Sequence, residues 1–98
     1  MDADSAETIA LSALAFLADD LPRLGRFLAL TGLGPDELKE KARSPRILAA
    51  VLTYLLQDES LLLVFAASHG IAPELIAPAQ ELLEERATVD SEDDGTEG

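Results

Sequence analysis

The sequence contains no cysteine and no tryptophan, and it has a single histidine, His69. Without cysteine the chain cannot form disulfides, thiolate zinc sites, iron–sulfur clusters or a cysteine nucleophile. One histidine also leaves no set of imidazole ligands for a metal ion. We therefore expect the protein to bind no metal and no cofactor.

Basic and aromatic residues are scarce as well. The 98 residues include 19 acidic and 7 basic side chains, a formal net charge of -12, and the aromatic residues are three phenylalanines and one tyrosine. Proteins that bind nucleic acids use lysine and arginine to neutralise phosphates, and aromatic rings to stack on bases. This composition predicts no direct binding to nucleic acid.

Long hydrophobic runs are also missing. Two mainly apolar stretches, 9–18 and 47–56, are each ten residues long, whereas a membrane-spanning helix needs about 20. The N-terminal flank carries Asp2, Asp4 and Glu7, and a signal peptide would carry basic residues there. We expect a cytoplasmic protein that does not associate with membranes.

What the sequence does contain is a regular series of helix start and stop signals. No stretch alternates apolar and polar residues as a strand would. Aspartate and serine favour N-caps, proline favours the first turn, and glycine favours the position that ends a helix. The pattern predicts an all-α fold, a compact bundle of five to six short helices. These signals are Asp4 with Glu7, Asp20 with Pro22, Gly32, Pro35, Ser44 with Pro45, Asp58, Gly70 and Pro73.

The end of the chain predicts a sixth helix followed by a tail. Pro78 lies within this helix and lacks a backbone donor, so we expect a kink, or a restart with Ala77 as the cap. The last residues are polar and acidic, a composition that does not bury enough apolar surface to fold. The predicted organisation is one helical domain over residues 1–86 and a disordered acidic tail over 87–98.

The two halves of the sequence align without a gap at an offset of 38 residues. The offset brings Asp20 onto Asp58 and Phe27 onto Phe65, and it also superimposes two glycines and two prolines that mark helix ends. We interpret this register as an internal duplication of a three-helix unit. It predicts two such units packed about a pseudo-twofold axis.

The fifth helix differs from its counterpart in the repeat. The second helix carries Arg23 and Arg26, whereas the fifth carries Leu61 and Val64 at those positions and is apolar on every side. Such a helix is either central in the core or covered by something else. Leu61 and Val64 are therefore either core residues or an interface for a partner or a second copy.

Catalytic chemistry has little support in the sequence. Neighbouring acidic residues such as Glu84 and Glu85 point in different directions on a helix, and none lies within an apolar run that would desolvate its carboxylate. His69 precedes Gly70 at a predicted helix end, where a cation interacts well with the helix dipole. We expect no enzymatic activity.

The basic residues are concentrated in one region. Residues 23–46 hold six basic and three acidic side chains, a net charge of +3, while the rest of the chain is negative. This region is either an ordinary solvated face or a patch for an anionic partner, screened by the acidic tail. The predicted patch consists of Arg23, Arg26, Lys39, Lys41, Arg43 and Arg46.

Several apolar segments and helix-end residues form a pattern together: 25–33, Pro35, Glu37, Leu38, 48–52 and 61–63. This pattern is similar to a family of small all-helical domains of unknown function from alphaproteobacteria. The resemblance covers roughly residues 6–83. It implies a bacterial, cytoplasmic, stand-alone helical protein. It supplies no catalytic residues.

The function these features favour is a non-catalytic protein–protein interaction module that binds a protein partner or itself. The alternative is a helix-turn-helix-like accessory to transcription, because Gly32 lies at the turn between two predicted helices. That accessory would act near DNA through a partner, since its would-be reading helix carries no net positive charge. A small-molecule pocket is a third hypothesis, for which the sequence alone indicates no polar anchors.

Overall fold

The computed structural model describes the backbone of residues 1–97 and the side chains of residues 1–89. Within this part of the chain there are helices and no strands, so the predicted all-α class is confirmed. The elements are α1 (Ala3–Ala18), α2 (Leu21–Thr31), α3 (Pro35–Glu40), α4 (Pro45–Leu56), α5 (Glu59–His69), a short 3₁₀ turn (Pro73–Leu75) and α6 (Ile76–Glu97).

Local signals explain most of the helix boundaries. The Asp20 carboxylate accepts the Arg23 N–H at 3.4 Å, and the Asp58 carboxylate accepts the Leu61 N–H at 3.2 Å. Each bond satisfies one of the unpaired donors in a first helical turn. Gly32 and Gly70 end α2 and α5 with positive φ angles of 77° and 64°. The predicted caps and stops of α2 and α5 are therefore confirmed.

Helix α1 begins earlier than the sequence predicted. Its N-cap is Asp2, which accepts the Ser5 N–H at 2.8 Å, and Asp4 lies in the first turn instead of capping it. A carboxylate in the first turn still interacts well with the positive end of the helix dipole. The side-chain hydrogen bond with Ser5, followed by the bond to its backbone, lowers the pKa of Asp2. The charge-dependent part of this cap is lost as the pH falls through that lowered pKa.

The predicted disturbance at Pro78 takes a different form. Pro73–Leu75 form a 3₁₀ turn, and α6 starts at Ile76, one residue before the expected cap at Ala77. Pro78 therefore falls in the first turn of α6. Backbone N–H groups there have no partner within the helix, so the missing donor costs nothing and no interior kink is required.

Helix α6 runs through the predicted boundary between the domain and the acidic tail. Ala87, Thr88 and Val89 are helical, and they continue the helix that contains the buried residues Ala79 and Leu83. The rest of the predicted tail, residues 90–98, lies outside the described side chains. Its disorder stays a prediction.

The core lies where α1, α4 and α6 pack against one another. Helix α1 contributes mainly small residues such as Ala10 and Ala13, which allow close approach, while α4 contributes larger ones such as Leu48 and Leu52. Phe27 of α2 and Phe65 of α5 are fully buried. No polar side chain is buried among the described residues, so burial of apolar surface is the main stabilising term.

The predicted repeat is present in the local structure. The N-caps Asp20 and Asp58 have φ/ψ angles of -126°/90° and -134°/90°. Helix α1 packs on α2 as α4 packs on α5, and the crossed pairs α1–α5 and α2–α4 also form, as a pseudo-twofold axis requires. The third elements break the symmetry, because α3 has 6 residues and α6 has 22.

Two glycines give a test of backbone conformation. Gly25 lies within α2, and a Cβ built on it meets nothing within 4 Å. We expect Gly25→Ala to stabilise the fold by about 0.5–1 kcal/mol, because alanine loses less backbone entropy in a helix. Gly32 also has open space, but its φ is 77°, so we expect Gly32→Ala to destabilise by about 1 kcal/mol. Urea unfolding measured by circular dichroism checks both signs.

Equal effects at the two glycines would contradict this account. They would mean that Gly32 does not hold the left-handed conformation in solution. Gly70, with a φ of 64°, serves as the repeat-equivalent control, and its alanine variant should match that of Gly32.

Within residues 1–89, no single helix is long and apolar enough to cross a membrane. Helices α4 and α5 taken together satisfy that criterion by length and composition, but the helix axis bends by 111° between them.

Candidate functional site

An open groove of about 550 Å³ lies between α2, α4 and α6. Its apolar lining includes Phe27 and Leu30 from α2, and Ala49, Ala50 and Tyr54 from α4. The Phe27 and Tyr54 rings meet edge to face, with their centroids 5.7 Å apart and their planes at 78°. This geometry is favourable for aromatic pairs and fixes the Tyr54 ring in the wall of the groove.

Polar side chains link α4 to α6 beside the groove. Gln80 donates from Nε2 to Thr53 Oγ1 at 3.1 Å, and it also donates to the Glu84 carboxylate. Thr53 in turn donates to the Ala49 carbonyl at 2.9 Å. These bonds use the single donor of the Thr53 hydroxyl and one of its lone pairs.

Three donors in the groove have no partner among the described residues. They are the Arg46 guanidinium and the Tyr54 hydroxyl on α4, and the side-chain amide of Gln57, which is the C-cap of α4. The sequence alone indicated no polar anchors for a pocket, and the structure brings these three side chains to one groove. The helical spacing of Arg46, Thr53 and Gln57 in the sequence places all three on the polar side of α4. Because α2 and α6 pack beside α4, that side becomes one wall of the groove.

The two residues singled out on α5 have different environments. Leu61 is 4% exposed and belongs to the core, whereas Val64 is 55% exposed. Leu63, beside Val64, is 48% exposed, although the sequence did not single it out. Ser60 and Ala67 are exposed one helical turn away on either side. We call Ser60, Leu63, Val64 and Ala67 the α5 stripe.

The predicted basic patch is partly neutralised by ion pairs. Arg23 pairs with Asp20 at 3.0 Å and approaches Asp58 at 3.9 Å, so it joins the two equivalent N-caps. Arg43 pairs with Glu7 at 3.2 Å. In addition, Lys41 lies 4.0 Å from Glu37, while Arg26, Lys39 and Arg46 make no ion pair with the described side chains. The screening of this patch by the acidic tail stays a prediction, because residues 90–98 lie outside the described side chains.

His69 lies at the end of α5, as predicted, and it contacts aromatic rings. Its ring centroid is 4.8 Å from that of Phe65 and 6.1 Å from that of Phe16. Within the part of the chain with described side chains, no three acidic or histidine residues are arranged to hold a metal ion. The prediction that the protein is not an enzyme stays untested.

The helix-turn-helix hypothesis rests on α2, Gly32 and α3. Gly32 does form the turn, but α3 has only 6 residues, and Asp36, Glu37 and Glu40 outnumber Lys39 within it. A helix that reads the major groove offers basic side chains and bidentate donors. The geometry therefore does not favour this alternative over protein binding.

Together the fold and its surfaces define a small all-helical protein. A family model described as "Protein of unknown function (DUF3572)" matches residues 3–86, and the chain belongs to that family. The resemblance seen in the sequence to a helical family of unknown function is thereby confirmed, while the bacterial group of origin stays a prediction. No curated protein and no solved structure matches the chain.

Proposed function

We propose that the protein is a non-catalytic cytoplasmic interaction module that binds another protein through the α5 stripe. The observation that carries the proposal is the side-by-side exposure of Leu63 and Val64 on a helix whose opposite face is core. Contiguous exposed apolar surface on a soluble protein is typical of an interaction site.

The repeat supports this interpretation. The positions in α2 that are equivalent to Leu63 and Val64 are Gly25 and Arg26, and both are exposed. The same helix position in the other half therefore accepts a charged or small residue. The fold does not require apolar side chains at this position, so their presence in α5 favours a role outside the core.

Charge favours a different protein over a second copy as the partner. Two copies would each carry a formal charge of -12, and like charges oppose association. A partner with an apolar patch surrounded by basic residues would complement both the stripe and the net charge. We therefore propose binding to a distinct, basic protein surface.

The test compares Leu63→Gln with Leu21→Gln, the same substitution on α2 at a residue that is 73% exposed. Tagged forms are expressed at native level and captured from the native host, and co-purified proteins are quantified by mass spectrometry. We expect Leu63→Gln to reduce recovery of a stoichiometric partner at least tenfold, the scale of an interface hot spot. Glutamine keeps the helix intact.

The control Leu21→Gln should leave recovery unchanged. Equal loss in both variants, or no loss in either, would reject the α5 stripe as the binding surface. Analytical ultracentrifugation adds a separate outcome: a dimer that Leu63→Gln dissociates would replace the distinct partner with a second copy.

A further inference from the structure

The groove between α2, α4 and α6 is unrelated to the α5 stripe and has features of a ligand site. We propose that it binds a medium-chain monocarboxylate, with the carboxylate at Arg46 and the apolar chain along Leu30 and Tyr54. Its volume of about 550 Å³ lies within the usual range of about 300–1,000 Å³ for small-molecule sites.

The shape of the groove suits an elongated ligand. Arg46 lies in the first turn of α4 and Gln57 is its C-cap, and the eleven residue steps between them correspond to about 16 Å. Between these ends, Ala49 and Ala50 leave room above the helix backbone, and the Tyr54 ring and Leu30 supply apolar contact. A chain lying along α4 would cover this surface from water.

The available hydrogen-bonding groups determine the chemistry of the head group. The Arg46 guanidinium makes no hydrogen bond or ion pair with the described residues, so its end of the groove favours a ligand group that accepts hydrogen bonds. A guanidinium binds a carboxylate through two parallel hydrogen bonds. Arg46 is the only cationic side chain in the lining, and it therefore receives the head group.

Charge limits the ligand to a single negative group. Glu84 lies in the same lining, and the whole chain carries a formal charge of -12. A phosphate dianion or a nucleotide would meet this repulsion with only one arginine to offset it. Among the described lining residues, a cationic head group would find only the Glu84 carboxylate, which already accepts a hydrogen bond from Gln80.

The protein contains its own reporter of binding. Tyr54 is the sole tyrosine and there is no tryptophan, so intrinsic fluorescence reports on the groove alone. We expect decanoate, titrated below its micelle concentration, to change this fluorescence saturably. Decanol, which has the same chain without the charge, should bind at least fivefold more weakly, as expected for a lost charge-assisted hydrogen bond.

The variant Arg46→Gln should remove this discrimination, so that decanoate and decanol bind alike. Arg26→Gln, at an exposed arginine of α2 outside the groove lining, should preserve it. Ala50→Leu fills the groove with a good helix former, and it should abolish the signal while far-ultraviolet circular dichroism stays unchanged. Val64→Gln separates this site from the α5 stripe and should have no effect.

Three results would overturn the proposal. Discrimination that persists in Arg46→Gln would place the carboxylate elsewhere. Unchanged decanoate binding in a folded Ala50→Leu variant would place the ligand outside the groove. Tighter binding of decylammonium than of decanoate by the wild-type protein would reverse the assigned charge.

Discussion

Replacement of Phe65 by alanine is expected to cost about 3–5 kcal/mol of the free energy of unfolding. The Phe65 ring is fully buried, and its centroid lies 5.4 Å from that of Phe16. The substitution removes the apolar contacts of the ring and leaves a cavity between α1 and α5. Domains of this size are stable by about 5–15 kcal/mol, so one side chain accounts for a large part of the total.

The repeat provides a matched variant. Phe27 is equally buried and packs on Tyr54, so Phe27→Ala should lose a similar amount of stability. Urea unfolding followed by circular dichroism measures both losses. The control is Leu21→Ala at an exposed position, where we expect a change within about 0.5 kcal/mol. A loss below about 1 kcal/mol at Phe65 would contradict the packing described for α5, since buried large-to-small changes cost more.

The second large effect separates two residues that the sequence treats alike. Leu61→Arg should unfold or precipitate the protein, because it places an unpaired charge in the core, at a cost of several kcal/mol. Val64→Arg should leave the fold intact, with a change within about 0.5 kcal/mol. The repeat supports the second expectation, since Arg26 occupies the equivalent exposed position in α2.

Circular dichroism and size-exclusion chromatography of the two single variants provide the measurement. If Leu61→Arg were folded and monomeric, the burial of Leu61 would be wrong. If Val64→Arg were unfolded, the α5 stripe would belong to the core and the proposed partner surface would be lost. The Gly25→Ala variant serves as the folded control, because it should be at least as stable to urea as the wild-type protein.

The sequence by itself determined the fold class and most helix boundaries. Asp20, Asp58, Gly32 and Gly70 act on groups no more than four positions away, so their effect can be predicted without knowing how the chain packs. The offset of 38 residues likewise predicted equivalent caps in the two halves, and both caps have nearly the same backbone angles. Asp2 was missed because Asp4 offered a competing cap signal within the same turn.

Only the tertiary structure decided which surfaces are covered and which are open. It buries Leu61 and exposes Val64, pairs Arg23 with two aspartates, and lays α6 beside α4 so that Arg46 and Tyr54 line a groove. Apolar residues on every side of α5 leave its orientation undetermined at the level of sequence. Burial depends on contacts between residues far apart in the chain, and these form only when whole helices pack together.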